Sequence, residues 1–183
     1  FFLSRNKNYI SIKKKGLSIK VFDNLTLKKK FFFKENKNFI LLNNLKGIKE
    51  SHFDNIFITT KINEDLKKIF LNIDKFVNDK TIIVTPCTSI PFWWHKCLTN
   101  KLQNKIDQKL DQILKKNLKR KNLVGMTMWL SGKVDKPGHV RISHIQRGFP
   151  IKEVFIERKK QVDQIRKELK KSTKSPLVKN IFS

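Results

Sequence analysis

Two hydrophobic periods run along this chain, one of two residues and one of about 3.6, and they divide it into candidate elements. Met126, Met128 and Leu130 alternate with Thr127, Trp129 and Ser131, the pattern of a half-buried strand. A second alternating run covers His139–Ile145, and between them Lys136-Pro137-Gly138-His139 predicts a type II turn. Upstream, the pattern reads strand, helix, strand. Asn55–Thr59 is β-rich, and Asn63 can cap a helix whose Leu66, Ile69, Phe70, Ile73 and Val77 share one face. Thr81–Thr85 is a short buried-type strand closed by Pro86. The longest helical stripe is Leu102, Ile106, Leu110, Ile113, Leu114 and Leu118, predicting a helix over Thr99–Lys121. Residues 152–171 predict a basic helix with Val154, Val162, Ile165 and Leu169 on its apolar face, followed by a tail. Val154-Phe155-Ile156 also suits a strand. Residues 1–52 alternate apolar clusters with lysine runs and predict a strand or two within an irregular basic extension.

Charge changes this picture. The chain has 183 residues, with 41 Lys and Arg against 15 Asp and Glu, a net charge of +26. Such an excess repels itself in a compact state and points to a polyanionic partner, with nucleic acid first and an anionic membrane surface second. A hydrophobic fraction of 39% with 15 Phe argues against full disorder. The uncharged run Thr81–Trp94 contains two prolines and is too short to span about 30 Å of hydrocarbon. No secretory signal pattern is present, and an initial Phe implies that the translated product starts further upstream. The chain lacks alanine while Lys, Asn, Ile and Phe abound. Those four residues have AT-rich codons, so an organellar gene is expected, with the product in the mitochondrial matrix.

Candidate chemistry is sparse. Cys87, His95 and Cys97 lack a fourth ligand and fit no usual zinc spacing, so no metal is expected, and two cysteines make no disulfide framework. Phe92, Trp93 and Trp94 can stack on bases or plug a seam between the two halves of the fold. His139 and His144 fall on opposite faces of one strand, which argues against a joint metal site. No phosphate-binding loop, nucleophile elbow, paired carboxylate or zinc-protease motif occurs, so no enzymatic activity is expected. Lys101, Lys105, Lys109, Lys116 and Arg120 form a second stripe along the 99–121 helix, with Asp107 and Asp111 as the only balancing acids.

An ordered set of residues carries a resemblance. Gly125, Ser131-Gly132-Lys133-Val134, Arg141, Arg147-Gly148 and Pro150-Ile151 resemble the C-terminal domain of universal small-subunit ribosomal protein three. The spacing agrees from Gly125 through Gly148, and one residue is missing before Pro150. The resemblance implies an α+β fold: a partial KH-like βαβ segment, then a long helix packed on an antiparallel β-hairpin sheet, with basic extensions at both ends. The expected divisions are a basic extension over 1–52, a KH-like segment over 53–92, the ribosomal C-terminal-like domain over 93–151, and a basic helix and tail over 152–183. Thr59-Thr60-Lys61-Ile62 falls where KH domains carry a glycine loop and contains no glycine. The helix that lines the family's mRNA entry channel with three basic residues places Gln108, Lys109 and Gln112 at those positions. Lys109 alone is charged.

The function so implied is an rRNA-binding scaffold in the head of a mitochondrial small ribosomal subunit, with no cofactor. Its RNA contacts are expected at Lys105, Lys109, Lys116, Arg120, Lys133, Arg141 and Arg147. Partners are small-subunit rRNA, mRNA at the entry channel, neighbouring ribosomal proteins and a separately encoded N-terminal half packed on residues 53–85; no membrane contact is expected. The alternatives are a basic accessory subunit of a respiratory assembly and a nucleic-acid enzyme of the maturase type.

Overall fold

A computed structural model describes residues 1–23, 25–59, 65–86, 117–126, 130–145, 151–152 and 156–172. They form two compact units, Phe1–Lys49 with Trp129–Gly148, and Glu50–Met128 with Phe149–Ser183.

The first unit folds residues expected to be an irregular extension. Strand β1 (Phe2–Leu3) leads into helix α1 (Asn6–Lys15), then β2 (Leu17–Asp23), β3 (Thr26–Phe33) and the short β4 (Leu41–Leu42). The hairpin β8 (Leu130–Lys136) and β9 (His139–Ile145) completes a four-stranded sheet in the order β3-β2-β9-β8. Here β2 runs antiparallel to β3 and parallel to β9, while β1 pairs in parallel with β4. Period two in β2 and β9 sets the packing, because Leu17, Ile19 and Val140 share the face that meets Ile12 and Tyr9 of α1 together with Phe39 and Leu41.

Two glycines make this arrangement possible. Gly16 ends α1 with φ 84, and its N–H donates to Ile12 O at 2.7 Å. A Cβ at Gly16 would stand 2.6 Å from the Phe32 ring. Gly138, at the turn between β8 and β9, has φ 76, the positive value that a type II turn requires at its third position. That turn is clamped to the helix: Ser11 Oγ donates to Pro137 O at 2.7 Å, and Gly138 N–H donates to Asn8 Oδ1 at 3.3 Å. On its other side the turn accepts a bond, from Ser18 N–H to Gly138 O at 2.9 Å.

The second unit is a four-stranded sheet in the order β10-β7-β6-β5. Strands β5 (Asn55–Phe57), β6 (Ile82–Pro86) and β7 (Leu123–Met126) are mutually parallel, and β10 (Ile151–Lys152) runs antiparallel to β7. Helix α2 (Asp65–Ile73) follows β5. On one face Ile82, Val84, Val124, Met126 and Ile151 pack against Val162 and Ile165 of the helix Lys159–Ser172, with Leu169 at the margin. Burying a Val or Ile side chain contributes roughly 1.5–3 kcal/mol, so this layer contributes a large share of the unit's stability.

Several expectations are corrected here. The partial KH segment is instead part of a parallel β-α-β arrangement that continues into β7. Of the helix expected over Thr99–Lys121 only residues 117–121 are described, and they are not α-helical: Arg120–Asn122 form a short 3-10 turn. Its residues 99–116 lie outside the described ones. Phe70, Ile73, Val77 and Ile82–Val84 are buried within this chain, so these residues offer no apolar surface to a separate N-terminal half.

Asn122 is the polar keystone of the second unit. It is fully buried, and its Nδ2 donates to Asn78 O at 2.9 Å and to Thr81 O at 2.7 Å, while its Oδ1 accepts from Lys119 N at 2.8 Å. Each orphaned buried group costs about 1–3 kcal/mol. Asn122→Ala is therefore expected to lower the unfolding free energy by roughly 2–4 kcal/mol in chemical denaturation, allowing for partial solvation of the freed groups. A loss under about 1 kcal/mol would show that water substitutes freely there.

In the first unit, Lys13 Nζ donates to Glu35 and so ties α1 to the chain ahead of β4. This hydrogen bond holds the Glu35 carboxyl below its ordinary range and raises the Lys13 ammonium. The carboxylate's contribution is present above the unfolded-state value and is lost as pH falls through the lower folded value. An NMR titration is expected to give Glu35 a midpoint below the ordinary glutamate range, and Lys13→Ala should move it back up. Identical midpoints in the two proteins would mean that the pair does not form in solution.

Candidate functional site: the carboxyl edge of the parallel sheet

The two ends of the β5-β6-β7 sheet differ in how their polar groups are satisfied. At the amino end, Thr81 Oγ1 donates to Phe53 O at 2.7 Å, Asn78 Oδ1 accepts from Thr81 N at 3.0 Å, and Asn122 bridges both strands. Asp74 Oδ1 accepts from Leu118 N at 2.8 Å and from Asn117 N at 3.1 Å. Arg158 closes the same end: Nε donates to Lys121 O at 3.1 Å, and another guanidinium nitrogen donates to Asp79 O. Lys121 lies 2.9 Å from Asp79 and holds that carboxyl below its ordinary range. Every one of these contacts is internal, so this end is structural.

Among the described residues, the carboxyl end carries one buried side-chain group that is not satisfied. Thr85, near the end of β6, the central strand of the three, is 0% exposed, and its Oγ1 has no hydrogen-bond partner among the described residues. On the neighbouring strand Thr85 stands beside Gly125, which puts no side chain next to the hydroxyl. Ligands of parallel α/β sheets bind outside the carboxyl ends of the strands, which is the edge Thr85 occupies. A buried hydroxyl without a partner costs about 1–3 kcal/mol unless something arrives to bond it.

The cationic residues predicted to hold RNA do not gather at this edge. Lys105, Lys109, Lys116 and Arg147 lie outside the described residues, as do Cys87, His95, Cys97 and Phe92–Trp94. Arg120 sits in the 3-10 turn before β7. Lys133 and Arg141 are cross-strand partners in the first unit, and both approach Asp135, at 3.8 Å and 3.2 Å. Arg141 also lies over the Phe22 ring, 4.5 Å from its centroid. Among the described residues no group of three or more His, Cys, Asp or Glu could hold a metal. Sequence reasoning missed Thr85, because one threonine in a buried strand carries no motif; only the orphaned oxygen distinguishes it.

No family model matches the chain, and no curated protein matches it. Solved structures do. A protein assigned as a 2-dehydropantoate 2-reductase from Enterococcus faecalis aligns with a TM-score of 0.62 at 14% identity, over 93% of this chain and 46% of that one. The 2-dehydropantoate 2-reductase of Geobacter metallireducens aligns at 0.59 and 15%, over 90% and 45%. D-mandelate dehydrogenase bound to NADH and anilino(oxo)acetate aligns at 0.58 and 14%, over 93% and 46%. The fold is that of these reductases and dehydrogenases, and the chain spans about half their length.

This likeness overturns the reading as ribosomal protein three. With it go the KH-like fold, the rRNA scaffold, the rRNA, mRNA and ribosomal-protein partners, and the expectation that no enzymatic chemistry is involved. The respiratory and maturase alternatives do not fit it either. The physical reason lies in the sheets. The resemblance needs Gly125 and the 131–148 segment in one hairpin, yet Gly125 belongs to β7 of the second unit and β8–β9 to the first.

A dinucleotide is the cofactor such a fold implies, so its site must be tested on this chain. Dinucleotide-binding βαβ units place a Gly-x-Gly-x-x-Gly turn between the first strand and helix, so that backbone can approach the pyrophosphate, and an acid after the second strand. Here β1, α1 and β2 occur in that order and β2 ends in Asp23, but the turn reads Ser4-Arg5-Asn6. None of the six glycines in the sequence forms that spacing. Asn8 already accepts from Gly138, and β1 pairs with β4, not with β2. The residues present do not fit a dinucleotide bound in that manner. Titration of NADH into the protein is expected to give no saturable change in nicotinamide fluorescence, and a saturable change would show that another device holds the pyrophosphate.

Proposed function

We propose that this chain is the α/β ligand-binding part of an oxidoreductase, and that its ligand is a small 2-oxo or 2-hydroxy carboxylate held at the carboxyl edge of β5-β6-β7. The observation that carries the reading is the buried Thr85 hydroxyl at that edge, which has no partner among the described residues. The fold supports it, since 2-dehydropantoate and the anilino(oxo)acetate bound to D-mandelate dehydrogenase belong to this class of acid. Charge supports it too, because a net +26 draws small anions toward the protein and raises their encounter rate.

The chemistry assigned to this chain is binding and orientation. Thr85 Oγ–H donates to a carboxylate or carbonyl oxygen, which offsets the desolvation of both groups. A hydrogen bond to a charged group contributes about 1.5–3 kcal/mol. The β-branched side chain on a strand has few rotamers, so little entropy is lost in aiming it. No redox step is assigned to the residues of this chain.

Thr85→Val separates the functional role from the structural one. Valine keeps the shape and removes the orphan, so the variant should unfold about 1–3 kcal/mol later than the parent in denaturant. Calorimetric titration with anilino(oxo)acetate should show the parent binding and the variant weakened by roughly tenfold or more. Equal binding by both proteins, or binding by neither, would sink the proposal.

A further inference from the structure

The sheet of the first unit has two faces, and α1 covers only one. Leu17, Ile19 and Val140 point to the helix, so Lys20 and Arg141, one residue further along β2 and β9, point away from it. The strand register places Lys30 beside Lys20, Lys20 beside Arg141, and Arg141 beside Lys133. Four cations therefore stand in one cross-strand row, with neighbouring strands about 4.8 Å apart. Like charges directly opposite one another destabilise a sheet. Asp135 answers the Arg141 and Lys133 end, and no ion pair to Lys20 or Lys30 is present among the described residues.

The same β2–β3 hairpin exposes apolar side chains. Leu25, beside the Asp23–Thr26 pair that closes the hairpin, is 94% exposed, Leu27 is 48% and Phe32 is 59%. Phe32 belongs to the cationic face, because it pairs with Ser18, two residues from Lys20. Cations alone would suit any polyanion. Rings alone would suit stacked bases. Exposed leucines gain nothing from a base or a bare phosphate chain, but they do gain from leaving water for hydrocarbon.

We propose that this face docks on the surface of an anionic lipid bilayer. The row Lys30–Lys20–Arg141–Lys133 lies against the headgroup phosphates, while Leu25 and Leu27 dip toward the acyl boundary. Binding is peripheral: among the described residues, no helix is long and apolar enough to cross a membrane. Each Lys or Arg held at an anionic leaflet tightens binding about fivefold, and the effect falls away within a Debye length.

The test is co-sedimentation of the full chain with vesicles of phosphatidylcholine alone and of phosphatidylcholine mixed equally with phosphatidylglycerol. The protein is expected to pellet with the anionic vesicles only, and added salt should release it. The variant Lys20→Gln, Lys30→Gln, Lys133→Gln should bind about a hundredfold more weakly, three steps of about fivefold. All three side chains lie on a surface, so the fold can be checked by circular dichroism. A second variant, Leu25→Ser with Leu27→Ser, keeps every charge and should also release the protein from vesicles. Equal binding to neutral vesicles would overturn the proposal. So would full binding by the serine variant, or complete displacement by inorganic polyphosphate or single-stranded nucleic acid, because a generic polyanion site would then be enough.

Discussion

Ile19 lies beside Val140 in a parallel pair, and the first unit depends on that junction between distant parts of the chain. Parallel strands cannot be joined by a tight turn, so β2 and β9 must meet after a long excursion, which carries a loop-closure cost. The pairing survives because it seals Leu17, Ile19 and Val140 under α1 and lets the Pro137–Gly138 turn hydrogen-bond to Asn8, Ser11 and Ser18. Without β9, strand β2 would have lost its parallel neighbour, and the lysines of β2 and β3 would sit on an isolated hairpin. Two-stranded hairpins are marginal in water.

The second unit meets the same problem with a different device. Its two inner parallel strands, β6 and β7, are almost continuously apolar, Ile82 to Val84 and Leu123 to Val124, as strands covered on both faces must be. That composition packs well but specifies register poorly, because one apolar residue resembles the next. Asn122, Thr81 and Asn78 supply the missing specificity with hydrogen bonds that only one alignment of β6 and β7 can satisfy. All this polarity sits at the amino ends of the strands. Among the described residues, the carboxyl ends carry the unsatisfied oxygen of Thr85, and the division between scaffold and candidate site follows from that asymmetry.

The backbone path follows reductases and dehydrogenases at about one residue in seven identical, while no Gly-x-Gly-x-x-Gly spacing occurs in the sequence. Such a turn lets backbone approach a pyrophosphate closely. Here β1 passes into α1 through Ser4 and Arg5, since a strand, a turn and a helix need no glycine to form.

Much of the local structure was legible in the residues themselves. Alternation in His139–Ile145 marked β9, Pro137-Gly138 marked its turn, the buried run Thr81–Thr85 marked β6, and Val162 with Ile165 marked a helix face. These signals are local, because side-chain period and φ preference act over a few residues. Pairing was another matter. Proximity in sequence joins the 131–148 segment to Gly125, whereas β8–β9 pairs with β2, more than a hundred residues away, and Gly125 pairs with β6. No period encodes which strand lies beside which, since a strand face of alternating apolar residues fits many partners about equally. The row of cations and the orphaned Thr85 oxygen exist only once those partners are chosen. The sequence alone determined the elements and the large positive charge; tertiary pairing decided the sheets, the faces and the candidate sites, because burial and cross-strand neighbours are properties of the folded chain.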